Sequence, residues 1–455
     1  TITLWSLEQE RPLVSLFVSG SDWIAWTEEG YYACSPAGER LMGWKVNQGA
    51  RKAPRYFPAA HFRRSLFHPD VVRQAVALGS VKAALAATGK GRPGGGAVSV
   101  AAVMPPEVAI TAPAEETEYK GGELVVSAEA KSVGGNKVTA MRLLVDGRPW
   151  KGAMGLRPVK GAKSGKVKAT WKIDLPPGPH TLAVQAETEV SRSVTAPVQV
   201  VNTAPPDTTP PNLYILAVGV SDYPDAQMRL NYAASDAVAL SKAFHAKHNG
   251  AFGKVEVNLM TDADATRARV SAGLEWMKEK MTDRDVGIVF LSGHGTRDKK
   301  GGFHFVPSDI DPRDVEGTCV PGEAVKHLMG NLPGRLIFML DACHSGAAAE
   351  KAGAAGAADD LARDLVTEEY GVLVMSSSMG DEYSLEAGGS IKAGFFTKAL
   401  TDGLAGEADL NKDGIIHLHE LDIYTTVMVQ RMTRGEQNPV TGRPPSFQTF
   451  PVAKK

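Results

Sequence analysis

The pattern of hydrophobic and polar positions changes twice along the chain and predicts three kinds of structure. Over residues 1–87, short alternating runs such as "TITLWSL" and "LVSLFV" predict antiparallel strands, and "FHPDVVRQAVALGSVKAALAA" has helical spacing with Pro69 near its start. Residues 106–201 alternate again, with turn signals such as "DG" and "PPGPH" between the runs, which is typical of an immunoglobulin-like β-sandwich. The glycine-rich residues 88–105 and the proline-rich residues 202–211 predict linkers.

From residue 212 to residue 455 the apolar runs no longer alternate, and amphipathic segments separate them. "LYILAVGV", "VGIVFLS", "RLIFML" and "GVLVMSS" predict buried strands, and the segments between them predict helices. This order indicates a mostly parallel sheet that is covered on both faces, an αβα sandwich. The sequence therefore predicts a multidomain fold that combines β domains with a C-terminal α/β domain.

Composition excludes some partners and compartments. A chain of 455 residues favours several domains, and 50 Lys and Arg residues nearly balance 51 Asp and Glu residues, so no charge excess favours nucleic acid or a membrane surface. Apolar runs all stay below the roughly 18 residues that a membrane span needs. The only cysteines, Cys34, Cys319 and Cys343, are too few for a disulfide framework, which favours a reducing compartment, and we expect the cytoplasm.

Three predicted strands end in the polar groups that a cysteine hydrolase needs. One runs into His294 between two glycines, a second into Asp341 and Cys343, and a third into Asp222. The carboxyl ends of parallel strands meet at one edge of a sheet. A free thiol is mostly protonated at neutral pH, so an imidazole is needed to activate it, and the backbone N–H groups of Gly295 and Cys343 are candidates for binding the oxyanion.

These motifs resemble those of the caspase-like (clan CD) cysteine peptidases, nearest the metacaspase and bacterial orthocaspase branch. The resemblance covers residues 213–450, and "LNYAASDA" is similar to the first-helix motif of that family. His294 in "SGHG" and Cys343 in "DACHSG" are 49 residues apart, similar to the gap between histidine and cysteine in caspases. The resemblance implies that Cys343 is the nucleophile, that His294 is the acid and base, and that the chemistry requires no cofactor.

One position departs from true caspases, which carry glutamine two residues before the cysteine, where this chain has Asp341. A carboxylate there would repel an acidic P1 residue and pair with a basic one, and metacaspases, which this pattern resembles, cleave after basic residues. We predict cleavage after Arg or Lys, with Asp341 and Asp222 lining the pocket and Asp381 in reserve. The alternatives are an ion pair for Asp341, a plain turn for Asp222, and a catalytically silent caspase-like signalling scaffold.

The segment "DLNKDGIIHLHE" matches the loop of an EF-hand, with oxygen-bearing side chains where that loop binds Ca²⁺. The predicted metal ligands are Asp409, Asn411, Asp413 and Glu420. Against this prediction, the neighbouring sequence is not clearly a pair of helices. The acids of "PSDIDPRD" form a rival calcium site.

Two further expectations concern regulation. The Ala-rich segment after Cys343 resembles the linker that some relatives cut during maturation, and Lys351 and Arg363 would suit a basic-P1 enzyme that processes itself; an uncut surface loop is the alternative. We expect the β domains to bind a protein substrate, a sensor or an adaptor, in bacterial stress, cell death or defence. "TITLWSL" resembles the closing strand of a WD40 blade, so the rest of a propeller would precede Thr1; a small β-subdomain is the alternative.

Overall fold

The structure, a computed structural model, contains two compact units. Their bounds are Thr1–Val145 with Met154–Ala204, and Asp146–Ala153 with Pro205–Lys455. The domain limits given above stay predictions. The structure describes residues 1–7, 10–20, 22–35, 38–47, 53–90, 99–133, 135–159, 165–205, 208–246, 250–298, 302–342, 357–366, 370–378, 393–444 and 447–455. None of the described helices is long and apolar enough to cross a membrane.

The first unit begins with an antiparallel four-stranded sheet in the order β1-β2-β3-β4. Its strands are β1 (Ile2–Ser6), β2 (Arg11–Ser19), β3 (Asp22–Trp26) and β4 (Tyr32–Cys34), followed by the pair β5 (Gly43–Val46) and β6 (Arg55–Pro58), and by α1 (Arg63–Leu66), α2 (Pro69–Leu78) and α3 (Val81–Thr88). The segment with helical spacing forms two helices, because Gly79 has a left-handed φ of 63° and Ser80 caps α3. The likeness to a WD40 blade stays a prediction.

Two more sheets of the first unit form the predicted β-sandwich. Their strands are β7 (Glu107–Ala112), β8 (Thr117–Tyr119), β9 (Leu124–Lys131), β10 (Ala140–Val145), β12 (Leu156–Pro158), β13 (Lys166–Ile173), β14 (Gly178–Glu187), β15 (Arg192–Val194) and β16 (Val198–Asn202). One sheet runs β10-β14-β16-β8, with β12 along β10 and β15 along β14, and the other runs β13-β9-β7. Burial alternates along β9, and Trp171 of β13 is fully buried, as expected for strands with one face in a core.

The second unit is built on a six-stranded sheet in the order β18-β17-β19-β23-β24-β26. The strands of the second unit are β11 (Arg148–Pro149), β17 (Leu213–Gly219), β18 (Val255–Thr261), β19 (Val286–Gly293), β20 (Gly295–Arg297), β21 (Phe303–Phe305), β22 (Val320–Pro321), β23 (Arg335–Ala342), β24 (Leu373–Ser376), β25 (Ile415–His417), β26 (Val440–Gly442) and β27 (Pro451–Lys454). All neighbours in the large sheet are parallel except β26, which runs antiparallel to β24. The prediction of a mostly parallel sheet is confirmed.

Helices cover both faces of this sheet. They are α4 (Ala233–Ala246), α5 (Arg267–Lys280), α6 (Val315–Thr318), α7 (Gly322–Asn331), α8 (Ala357–Val366), α9 (Phe395–Asp402) and α10 (Leu418–Met432). Along β23, Leu336, Phe338 and Leu340 join the core under α5, α7 and α8, whereas Ile337 and Met339 join the core under α4, α9 and α10. Because successive side chains of a strand point to opposite faces, each strand feeds two cores.

A short piece of chain, residues 146–153, belongs to the second unit although its flanks belong to the first. Arg148 is buried, and its guanidinium donates to the carbonyl of Leu332 at 2.8 Å and to that of Met329 at 3.4 Å, which satisfies acceptors at the end of α7. Burial lowers the pKa of Arg148 to about 9. Lys151 forms an ion pair with Asp283 at 2.9 Å.

Candidate active site

The register of β19 and β23 brings the two predicted motifs to one level of the sheet. Ser292 pairs with Asp341 and Gly293 pairs with Ala342, and these are the last residues of both strands. His294 and Cys343 are each the next residue in sequence. Cys343 itself lies outside the described residues, and the register of the two strands is what brings the two motifs to the same edge of the sheet.

His294 is held by two groups that no sequence motif marks, the Tyr223 hydroxyl and the Met228 carbonyl. Its backbone N–H donates to the hydroxyl of Tyr223 at 2.9 Å, and the two rings lie 5.0 Å apart between centroids. Its Nε2 lies 2.7 Å from the carbonyl oxygen of Met228. Because a carbonyl oxygen only accepts hydrogen bonds, Nε2 carries the proton, and the neutral ring then has its lone pair on Nδ1. The residue is 6% exposed and is therefore largely shielded from water.

The two glycines that flank His294 are required by the packing around it. Gly293 has a φ of +150°, and a methyl group there would lie 2.8 Å from the Tyr223 hydroxyl. A methyl group on Gly295 would lie 2.6 Å from the ring of Phe303. The carbonyl of His294 accepts from Val306, so Gly295 and Phe305 form a non-hydrogen-bonded pair, and the Gly295 N–H points away from β21.

Asp341 lies beside a second buried carboxylate, that of Asp236 on α4. Asp341 follows Leu340 in β23, so its side chain points to the face that α4 and α9 cover. The two residues are 2% and 3% exposed. A methyl group on Gly394 would lie 2.9 Å from an oxygen of Asp236 and 3.3 Å from one of Asp341, so both carboxylates approach the same point. The Gly394 N–H donates to both oxygens of Asp236, at 3.1 and 3.2 Å.

Asp222 lies in a different setting. Its side chain is 64% exposed and pairs with Arg229, with 3.0 Å between Oδ1 and Nε, and its backbone N–H donates to Asp262. Its place in the pocket stays a prediction. The residue that the geometry adds to Asp341 is Asp236, which lies inside "LNYAASDA"; the signal was an acidic side chain on the buried face of a predicted helix.

The acids of the two predicted calcium sites lie on segments other than the strand ends that carry His294 and Asp341. Asp409, Asn411 and Asp413 lie in the loop between α9 and α10, and Glu420 lies in the first turn of α10. In the rival segment, Asp309 accepts from the backbone of Arg267, Asp311 pairs with Arg313, and Asp314 accepts from Gly317 at the start of α6. In the part of the chain that the structure describes, no group of three or more His, Cys, Asp or Glu side chains is already arranged to hold a metal.

The remaining predicted residues concern the pocket and the linker. Asp381 and Lys351 lie outside the described residues. Arg363 is on α8 and 7% exposed, so it is not presented for cleavage in this arrangement. A cut there would require α8 to leave the sheet.

Comparison with known proteins identifies the family. The caspase domain family matches residues 213–448, more than half of the chain, and a bacterial Ig domain matches residues 106–184. The fold and the strand-end motifs thus define a caspase-type αβα domain that follows an immunoglobulin-like domain. The chain belongs to the caspase domain family.

Individual relatives are distant. Among curated proteins, none matches the chain. A crystal structure of a protein from Geobacter sulfurreducens is 17% identical, with a TM-score of 0.38, over 52% of this chain and 96% of that one. An engineered protein is 19% identical, with a TM-score of 0.16, over 23% of this chain and 21% of that one.

The three thiols are expected to differ sharply in reactivity. Cys34 is 1% exposed, Cys319 is fully buried, and burial raises the pKa of Cys319 to about 12. Iodoacetamide at pH 8 should therefore alkylate Cys343 in the folded protein and leave the other two thiols intact, as read by peptide mass spectrometry. Protein unfolded in urea should be modified at all three positions, which is the control. Equal modification of Cys319 and Cys343 in the folded protein would contradict the assignment.

Proposed function

We propose that the protein is a cysteine endopeptidase that hydrolyses peptide bonds after Arg or Lys. The observation that carries the P1 preference is the pair of buried carboxylates, Asp341 and Asp236, which approach one point beside Gly394. A buried carboxylate pairs favourably with a cationic group, and two carboxylate side chains at one point suit the guanidinium or ammonium group of a basic P1 residue. An acidic P1 side chain would add a third negative charge and be rejected.

The proposed chemistry needs only this chain and water. Nδ1 of His294 takes the proton of the Cys343 thiol, and the thiolate attacks the carbonyl carbon of the scissile bond. The Gly295 N–H donates to the oxyanion that forms, together with the N–H of Cys343. The imidazolium then gives its proton to the leaving amine, and a water molecule, deprotonated by the same imidazole, hydrolyses the thioester and restores the thiol.

The carbonyl of Met228 has a defined part in this mechanism. By accepting a hydrogen bond from Nε2–H of His294, it selects the tautomer in which Nδ1 is the base, and it stabilises the imidazolium that forms when Nδ1 takes up a second proton. Tyr223 fixes the backbone of His294 from the other side. Both are positioning residues, since neither is proposed to touch the substrate.

A panel of fluorogenic peptides tests the proposal directly. Peptides that differ only in P1 Arg, Lys or Asp are incubated with the full chain, with and without Ca²⁺, and with the Cys343→Ala variant as control. We expect release after Arg and Lys by the wild type alone. Cleavage after Asp and not after Arg or Lys would contradict the pocket assignment. Wild-type rates equal to those of Cys343→Ala on every peptide would instead support the silent scaffold, in which the β domains bind a sensor or adaptor.

A further inference from the structure

The loop between α9 and α10 has the local structure of a cation-binding hairpin. α9 ends at Asp402, and a π-helical turn over Gly403–Glu407, broken at Gly406 with a φ of +126°, leads to Asp409. α10 begins at Leu418, the tenth position of the motif. The seventh to ninth positions form β25, which pairs with β27 near the end of the chain. Helices therefore lie before and after the loop, and the turn at Gly406 separates the first of them from Asp409.

A buried carboxylate oxygen in this loop has no partner among the described residues. Oδ2 of Asp409 accepts from the Gly414 N–H at 3.3 Å, whereas Oδ1 is buried and makes no hydrogen bond. An ionised oxygen shielded from water without a donor is costly, and a cation is the ligand that offsets this cost. The unpartnered oxygen is a structural observation that was not used to find the sequence motif. It belongs to Asp409, the first residue of that motif.

Glu420, the twelfth position, is buried with its carboxylate turned into the loop. It is 2% exposed, and its oxygens accept from the N–H groups of Asn411 at 3.3 Å and of His417 at 2.9 Å. Those donors hold the carboxylate at the loop backbone, which agrees with the absence of a preformed metal cluster in the described residues. When a cation binds, the Glu420 carboxylate would exchange its hydrogen bonds to neutral backbone N–H groups for direct contact with the positive ion, which is a stronger interaction.

The other two candidate ligands, Asn411 and Asp413, have side-chain oxygens that accept hydrogen bonds from nearby backbone N–H groups and can also contact a cation. Oδ1 of Asn411 accepts from Asp413 at 2.9 Å, and Oδ1 of Asp413 accepts from Ile415 at 2.7 Å. Gly414 has a φ of +81°, the sharp turn that the sixth position of such a loop requires. The three carboxylates carry three negative charges, one more than a divalent cation neutralises. All the candidate ligand atoms are oxygens, which hard cations such as Ca²⁺ prefer.

We infer that residues 409–420 bind one Ca²⁺ ion through the side chains of Asp409, Asn411, Asp413 and Glu420 and the backbone carbonyl of Ile415. A bidentate glutamate and a flexible loop suit the larger Ca²⁺ ion better than Mg²⁺, which requires near-octahedral geometry. The site does not depend on the proposed peptidase activity. Because the loop joins two helices of the core that contains Leu421 and Leu400, binding should stabilise the second unit.

Calorimetric titration of the full chain, freed of metal with EDTA, tests this inference with CaCl₂ as the probe. We expect one site per chain, a weaker response to MgCl₂, and a rise in the melting temperature of roughly 5 °C at a hundredfold excess of Ca²⁺ over Kd. The Cys343→Ala variant should bind equally well, which separates this result from any failure of the peptidase proposal.

Matched variants locate the site. Glu420→Gln keeps hydrogen-bond capacity at the loop while it removes the charge, and Asp409→Asn does the same at the first position; each should lower the affinity at least tenfold. Asp311→Asn, in the rival segment, should leave it unchanged. Absence of both heat and thermal shift in the wild type would overturn the inference, and so would full affinity in Glu420→Gln. Loss of binding in Asp311→Asn alone would assign the ion to the rival segment and also overturn it.

Discussion

Replacing Cys343 with alanine is expected to reduce kcat/KM for a P1 Arg peptide by about a thousandfold or more, because no other nucleophile is proposed for the acyl transfer. His294→Ala should cost a similar factor. Since the two residues act as a unit, the double variant should be little worse than either single one. Steady-state kinetics with one fluorogenic peptide measures all three variants.

Cys319→Ala is the matched control for this experiment. Cys319 is a buried thiol of the same unit, in the core under α5 and α7, and it has no proposed part in the chemistry. Its replacement should lower the melting temperature slightly and leave kcat/KM within a few-fold of the wild type. A Cys343→Ala enzyme within tenfold of the wild type would refute the nucleophile assignment.

The second large effect is expected at the P1 pocket. Asp341→Asn and Asp236→Asn should each lower kcat/KM for P1 Arg peptides by about a hundredfold or more, since removing one charge from a buried ion pair typically costs about 3 kcal/mol. Each variant keeps a side chain of the same size that can still accept hydrogen bonds, so we expect its melting temperature to stay within a few degrees of the wild type. Lost activity in a fully folded protein distinguishes a pocket residue from a structural one.

Asp222→Asn decides between the two candidates for the second acid. Asp222 is exposed and paired with Arg229, so exposed-pair energetics predict a change of less than about 1 kcal/mol, or a few-fold in rate. If Asp222→Asn instead lowers kcat/KM for P1 Arg peptides a hundredfold while Asp236→Asn does not, Asp236 is not the second acid of the pocket. The same peptides and assays serve for all three variants.

The sequence predicted the fold of the second unit well because its central strands are buried on both faces. "VGIVFLS" and "RLIFML" are uniformly apolar, and both are strands of the parallel sheet. The edge strand β18, with the sequence "VEVNLMT", escaped prediction, since an edge strand is half-exposed and carries polar residues that weaken the signal.

The site was less predictable than the fold for a physical reason. His294, Asp341 and Cys343 follow apolar strands directly, so local patterning points to them. The hydrogen bond from His294 goes to a backbone carbonyl, that of Met228, and every residue has such a carbonyl, so no sequence signal marks it. Asp236 comes from a helix more than a hundred residues before Asp341, and only the packing of α4 on the sheet brings the two together.

The second unit is built from two separate stretches of the chain, and this affects where the protein can be cut into fragments that fold. A fragment cut at the proline-rich linker would begin at about residue 205 and would lack residues 146–153, which belong to the same compact unit. The carbonyls of Met329 and Leu332 would then lose the guanidinium of Arg148. The second unit is therefore not a module that a single cut can release. Eight of its residues come from upstream, and recombination or truncation at the linker would leave it incomplete.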